Sequence, residues 1–174
     1  MVVEVATMSY AKPISGLDIR MQQEYKERAI ALLQTLIRKK GKRPEDFVIR
    51  DVLPQTDLGL THEEWVHTYS SAYTEEEYFT KDLADDRFFV TYGYANASTL
   101  PKTLYVKMSR GSVPIKVIHT QFVNMQEFPV LFFEPEGWME GEKITVTLYG
   151  DSTGDDKVVL LSLFAEPSNE TISP

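Results

Sequence analysis

The residue types able to do chemistry are few and awkwardly spaced. His62-Glu63-Glu64-Trp65-Val66-His67 invites comparison with the helical HExxH zinc motif, but its histidines stand five residues apart instead of four. Five residues turn a helix by about 500°, which leaves the rings about 140° apart and unable to share one ion. His119, between Ile118 and Thr120, falls in a strand-like run and is expected to be an ordinary strand histidine. Asp151, Asp155 and Asp156 share a glycine-bounded loop whose oxygens suit calcium in kind, although their spacing departs from the EF-hand. No cysteine and no G-x-S-x-G elbow offers a nucleophile, and none of the nine glycines forms a phosphate-cradling pattern. The acidic runs Glu75-Glu76-Glu77, Asp85-Asp86 and Asp155-Asp156 lie beside turn signals and read as solvated loops. The expectation is a protein with no catalytic residues, no metal and no cofactor.

The elements that would position any site begin with a helix. Leu17, Met21, Tyr25, Ala29, Leu33 and Ile37 recur every fourth residue, with Leu32 and Leu36 beside them, and predict one amphipathic helix within residues 15–41. Ser15 is placed as its N-cap and Gly41 as its C′ residue, with Arg38, Lys39 and Lys40 in the last turn, where the helix dipole favours cations. Leu17, Met21, Tyr25, Leu33, Leu36 and Ile37 are the candidate assembly interface. Arg38, Lys39, Lys40, Lys42 and Arg43 put five cations in six residues and form a candidate contact patch for an acidic partner surface.

After Pro44 the pattern changes to short strands. The expected strands are 47–50, 66–73, 78–83, 88–95, 103–108, 113–122, 130–133, 143–149 and 158–165, separated by turns at hairpin distances. Thr61 and Glu64 have capping-box spacing, enough for one helical turn. Leu104, Val106 and Met108 oppose Thr103, Tyr105 and Lys107, and Ile144, Val146 and Leu148 oppose Thr145, Thr147 and Tyr149, so these strands have one wet face. Val158-Val159-Leu160-Leu161-Ser162-Leu163-Phe164 is apolar on both faces, which predicts a central strand covered on both sides. The fold class is therefore mainly β, an antiparallel β-sandwich or jelly-roll-like domain of about eight strands over 44–167, preceded by one long helix. Residues 1–14 and 168–174 are expected to be extended arms.

The chain has 174 residues with 43% apolar and 25% charged content, ample for one packed core. No apolar run approaches the roughly 18 residues of a membrane span, and neither membrane anchorage nor classical secretion is expected. The net charge of −8 is uneven: residues 1–60 carry ten lysines and arginines against eight acids, whereas 61–174 carry eight against eighteen. An acidic body repels phosphate, so nucleic acid is an unlikely partner except at the basic helix end.

The run Phe47-Val48-Ile49-Arg50-Asp51-Val52-Leu53-Pro54-Gln55-Thr56-Asp57-Leu58-Gly59 is followed soon by Trp65. A closing pair then runs from Gly141-Glu142-Lys143-Ile144-Thr145-Val146-Thr147-Leu148-Tyr149-Gly150 to Val158–Pro167. Together they resemble small virion structural proteins of tailed phages. The resemblance covers about residues 47–167 and implies a β-sandwich assembling on a capsid or tail, with 129–167 as its closing strand pair and no catalytic residues. The functional expectation is a capsid-associated or decoration protein of a bacteriophage virion. It forms homo-oligomers, contacts other capsid or tail proteins, and resides in the virion and, during assembly, the host cytoplasm. The alternative is a carbohydrate-binding module in which Trp138, Tyr92 and Tyr94 stack on sugar faces.

Overall fold

A computed structural model describes residues 2–3, 14–120 and 129–170, with side chains over 19–120 and 129–169. The rest of the expected arms (1, 4–13 and 171–174), the Ser15 and Leu17 side chains and the strand end at Phe122 lie outside the described residues. In chain order the elements are β1 (Val2–Val3), β2 (Ile14–Ser15), α1 (Gly16–Lys39), β3 (Phe47–Asp51), α2 (Pro54–Leu58), β4 (His67–Tyr69) and β5 (Glu75–Asp82). They continue as β6 (Phe88–Asn96), β7 (Thr103–Arg110), β8 (Val113–His119), β9 (Val130–Trp138), β10 (Lys143–Gly150), β11 (Gly154–Asp156) and β12 (Val158–Pro167).

Eight of these strands build two antiparallel four-stranded sheets, ordered β3-β12-β6-β9 and β5-β10-β7-β8. The pairing is nested. β3 pairs with β12, β5 with β10, β6 with β9, and β7 with β8, so the first strand of the sandwich meets the last and each later one meets the next inward. One long hairpin rolled into two sheets is the jelly-roll arrangement, as the strand pattern predicted. The expected closing pair is corrected here: β10 and β12 lie in different sheets and do not pair with each other. The short pairs β1-β2 and β4-β11 stand apart from the sandwich sheets.

The protein has three layers, because α1 packs on the outer face of the β3-β12-β6-β9 sheet. Between the sheets lie Phe89, Trp138, Leu160 and Phe164 from one side and Phe79, Met108, Ile144 and Leu148 from the other. Under the helix, Ala29, Leu33, Leu36 and Ile37 meet Phe88, Val90, Tyr92, Leu161 and Leu163. A sheet covered on both faces requires apolar residues at successive positions, and every residue of β6 and all of β12 except its last are buried. α1 ends as expected, with Gly41 left-handed at φ 73° and the Lys42 amide closing on the Ile37 carbonyl. Among the described residues no helix is long and apolar enough to cross a membrane.

Local departures from the sequence pattern have physical causes. Thr61–Trp65 forms bends, not a helical turn; the short helix is α2, seven residues earlier, where Pro54 supplies the first-turn φ and Gly59 at φ 75° stops it. β9 runs on to Trp138 because its ladder with β6 breaks and resumes: Leu131 faces Gly93 and Glu136 faces Thr91, with the four residues between them looped out around Pro135, which has no amide to donate. The strand expected over 66–73 shortens to β4, which pairs with β11 in a segment expected to be turn.

The acidic loop of 151–156 is a structural pin. Asp156 is fully buried and its carboxylate accepts from the Asn96 amide, the Ser98 hydroxyl, the Lys102 and Thr103 backbone N–H groups and the Thr103 hydroxyl, at 2.6–3.1 Å. The Thr103 hydroxyl spends its proton there, so Tyr69, 2.6 Å away, is the donor to it. Asp155 accepts from Thr68, and among the described residues no cluster could hold a metal ion. Replacing Asp156 with alanine strands five donors at one buried point and is expected to cost at least about 3 kcal/mol in chemical denaturation. Leu33→Ala is expected to cost about 2–5 kcal/mol by opening a cavity beneath α1.

Candidate functional site

The helix stripe does not face one way. A strict four-residue spacing advances 400° per step and drifts 40° each time, so the line from Leu17 to Ile37 winds about 200° around the helix. Leu33, Leu36 and Ile37 are buried on the chain's own sheet, Tyr25 is half-buried, and Met21 is exposed. The expected assembly interface is therefore corrected: Leu33, Leu36 and Ile37 are consumed by the internal core. One position past Met21, Gln22 takes the buried line instead, 4% exposed.

Gln22 lies on the wall of a groove of about 460 Å³ between the first half of α1 and the β3-β12-β6-β9 sheet. Val159–Ser162 of β12 form its floor, the β3 end and α2 start (Asp51–Pro54) one wall, and Glu63–Trp65 another. The groove exists because β3 is short. β12 pairs with β6 along Val158–Ala165 but with β3 only along Leu163–Pro167, since Pro54 turns the chain into α2. Along Val158–Ser162, β12 thus has a strand on one side alone.

A buried charge cluster fixes the β3–α2 wall. Arg50 grips Asp57 with two bonds of 2.7 and 2.9 Å, donates to Glu166 at 3.0 Å, and lies over the Phe164 ring. Asp57 also accepts from the Leu53 amide at 2.7 Å, which sets the entry to α2. On the other wall Trp65 packs against Tyr78 and Phe79, and His67 stands edge-on to Tyr69 at 4.6 Å and Tyr78 at 5.7 Å.

Inside the groove the polar accounts are open. Among the described residues neither amide atom of Gln22 has a hydrogen-bond partner, nor does the buried hydroxyl of Ser162, which falls in step with Leu160 and Phe164 along β12. Lys26 and Asp51 pair at 3.2 Å, both on the groove lining, while Glu63 and Glu64 are exposed with no cation paired to them among the described residues. Sequence reading passed over Gln22 and Ser162, although each carried a signal: a polar residue on an apolar helix line, and the one hydroxyl in an apolar strand.

Other candidate residues fall elsewhere. The basic patch divides, because Lys42 pairs with Asp86 and Glu140 and is held above its usual pKa chiefly by the bond to Asp86, while Arg43 binds Asp46. Arg38, Lys39 and Lys40 are exposed. Trp138, Tyr92 and Tyr94 are 0%, 4% and 1% exposed, so none can stack on a sugar, and the carbohydrate reading built on them is withdrawn. An aromatic row reaches the surface instead at exposed Tyr73, which neighbours half-buried Tyr149 and Tyr105, the last two stacked at 4.9 Å.

No protein-family model matches the chain, and neither does any curated protein. Among solved structures the chain is similar to one from Bacillus endospore appendages, described as forming a novel family of disulfide-linked pili, with 13% identity over 70% of this chain and 88% of that one and a TM-score of 0.35. A likeness that loose carries neither family nor function.

Burial pushes the His67 imidazole below its usual pKa of 6.5, outweighing Glu76, whose carboxylate lies 3.5 Å from Nε2. The unfolded chain then binds a proton near pH 6 that the folded chain refuses, so stability falls as pH drops below about 6.5. Melting temperatures measured from pH 7.5 to 5 are expected to decline in the wild type and to be flatter in His67→Gln. Glu75, Glu76 and Glu140, held below their ordinary values of 4.5, stay ionised across that window.

Proposed function

We propose that the protein is a non-enzymatic structural component that assembles with copies of itself, in the role of a capsid-associated or decoration protein of a virion. The observation that carries this reading is the open side of the sandwich. β8 and β9 are the edge strands of their sheets and run beside each other there, tied by Lys116, which reaches the Glu134 carbonyl at 3.2 Å and sits over the Phe132 ring at 4.4 Å. Val113 and Phe133 are 63% and 73% exposed on these strands, and Val117 is exposed between them in sequence. Exposed apolar side chains on an unpaired edge favour association.

Pro114 removes a donor from the β8 edge, so a copy joins through side chains more readily than through a continuous ladder. The jelly-roll order supports the reading by analogy, since capsid proteins use this architecture, although lectins and cupins do as well. The resemblance of 47–167 to tailed-phage structural proteins points the same way. Arg38, Lys39 and Lys40 would then meet an acidic face of a neighbouring subunit, the chain's own body being acidic. With no cysteine, such an assembly is held without disulfides.

The test is absolute mass by light scattering across concentration and salt. A discrete oligomer is expected, and the double variant Val117→Lys with Phe133→Lys is expected to reduce it to monomer with an unchanged melting temperature. A strict monomer at every concentration overturns self-assembly, and an oligomer indifferent to the double variant overturns the β8–β9 surface.

A further inference from the structure

The groove beneath α1 states the chemistry of what fills it. Its floor is the side of β12 that lacks a strand along Val158–Ser162, directly in line with β3, so an added extended segment would continue the sheet. Five residues of strand span about 17 Å. The Gln22 carboxamide offers one acceptor and two donors side by side, the complement of the N–H and C=O that a residue in an extended peptide presents on one edge. Among the described residues both its polar atoms are buried and unpartnered. At the rim, Glu63 and Glu64 have no ion pair among the described residues; of the two cations on the lining Lys26 is engaged by Asp51, and with Lys157 the lining still carries one more acid than cation.

We propose that this groove binds an extended peptide segment of a partner protein, about five residues long. The segment adds to β12 as a strand in line with β3, pairs its backbone with Gln22, and sets a lysine or arginine beside Glu63 and Glu64. The occupant argued for is a segment of a different protein: among the described residues this chain's own exposed cation cluster, Arg38, Lys39 and Lys40, is at the end of a helix and is not presented in an extended strand, and a second copy is a separate outcome of the test. The inference stands without the assembly reading, since the groove and the β8–β9 edges share no residue.

The experiment selects a random library of capped heptapeptides against the full chain and, in parallel, against Gln22→Met, which keeps the side-chain length and removes the amide. Gln22→Met is expected to melt at or above the wild-type temperature, because it relieves buried unsatisfied polar atoms. Peptides enriched on the wild type are expected to carry a lysine or arginine and to lack internal proline. Their binding should shift the emission of Trp65, at the groove, against the constant background of the fully buried Trp138. Affinity should fall about tenfold in Gln22→Met and severalfold in Glu63→Gln with Glu64→Gln, as expected for one lost hydrogen-bonded pair and for a screened rim charge. No enrichment over Gln22→Met, or affinity unchanged by it, overturns the proposal. So does a Trp65 shift that appears with protein concentration alone, which makes the occupant a second copy, or full competition by N-methylacetamide at equal concentration, which makes it a small amide. Peptide binding by a strict monomer would uphold this site while the assembly reading fails, and an oligomer that binds no peptide would do the reverse.

Discussion

Everything in this fold leans on β12 being apolar on two faces. The strand sits between β3 and β6, with Val158, Leu160 and Phe164 turned to the second sheet and Val159, Leu161, Leu163 and Ala165 turned to α1. α1 is seated on β6 and β9 and reaches β12 as well, and a helix packed only by its own propensity is marginal in water. The two hydrophobic cores thus meet through β12 and through β6, whose Phe89 and Tyr94 face one and whose Phe88, Val90 and Tyr92 face the other. Its last positions also carry Glu166, which with Asp57 holds Arg50 and so fixes α2 and the groove wall.

Two kinds of buried polar group divide the molecule. Asp156 lies at the centre of five donors from Asn96–Ser98 and Lys102–Thr103, and its burial is compensated by hydrogen bonds. Gln22 and Ser162, 4% and 6% exposed, have no compensating hydrogen bond among the described residues. The first arrangement holds loops to strands; the second leaves free energy unrecovered, in the place where the sheet stops short. Gly150 shows how closely the pinned side is built, because a Cβ there would meet the Tyr69 ring at 2.7 Å.

Much of the sandwich was legible because burial leaves a period in the sequence. Ile144, Val146 and Leu148 alternate with half-exposed neighbours as their pattern required, and the run from Val158 marked its strand as central. The helix bounds were legible from Gly41 and the preceding cations. Which face of the helix was buried was not, since a four-residue repeat drifts and only the sheet decides where the drift is cut. Strand partners were also hidden: nothing local in Lys143–Gly150 or Val158–Pro167 says that they belong to different sheets. Trp138, Tyr92 and Tyr94 looked available for stacking because an aromatic residue gives the same signal in a core as on a surface. The groove could not be read at all, being defined by where β3 ends relative to a strand more than a hundred residues later.

The nested pairing of the strands carries a consequence for how the chain comes to be folded. β3 finds its partner only when β12 exists, and α1 is seated chiefly on β6 and β9, so the N-terminal third has nothing native to settle on until strands far along the chain are made. Contacts of such long sequence separation pay their loop-closure entropy before any reward, which slows folding. On the ribosome, α1 and β3 must wait through the synthesis of everything between, with their apolar faces uncovered. A chain built this way closes from its C-terminus inward, and truncation of β12 by even one or two turns of the pleat would leave β3 without its partner and Arg50 without Glu166.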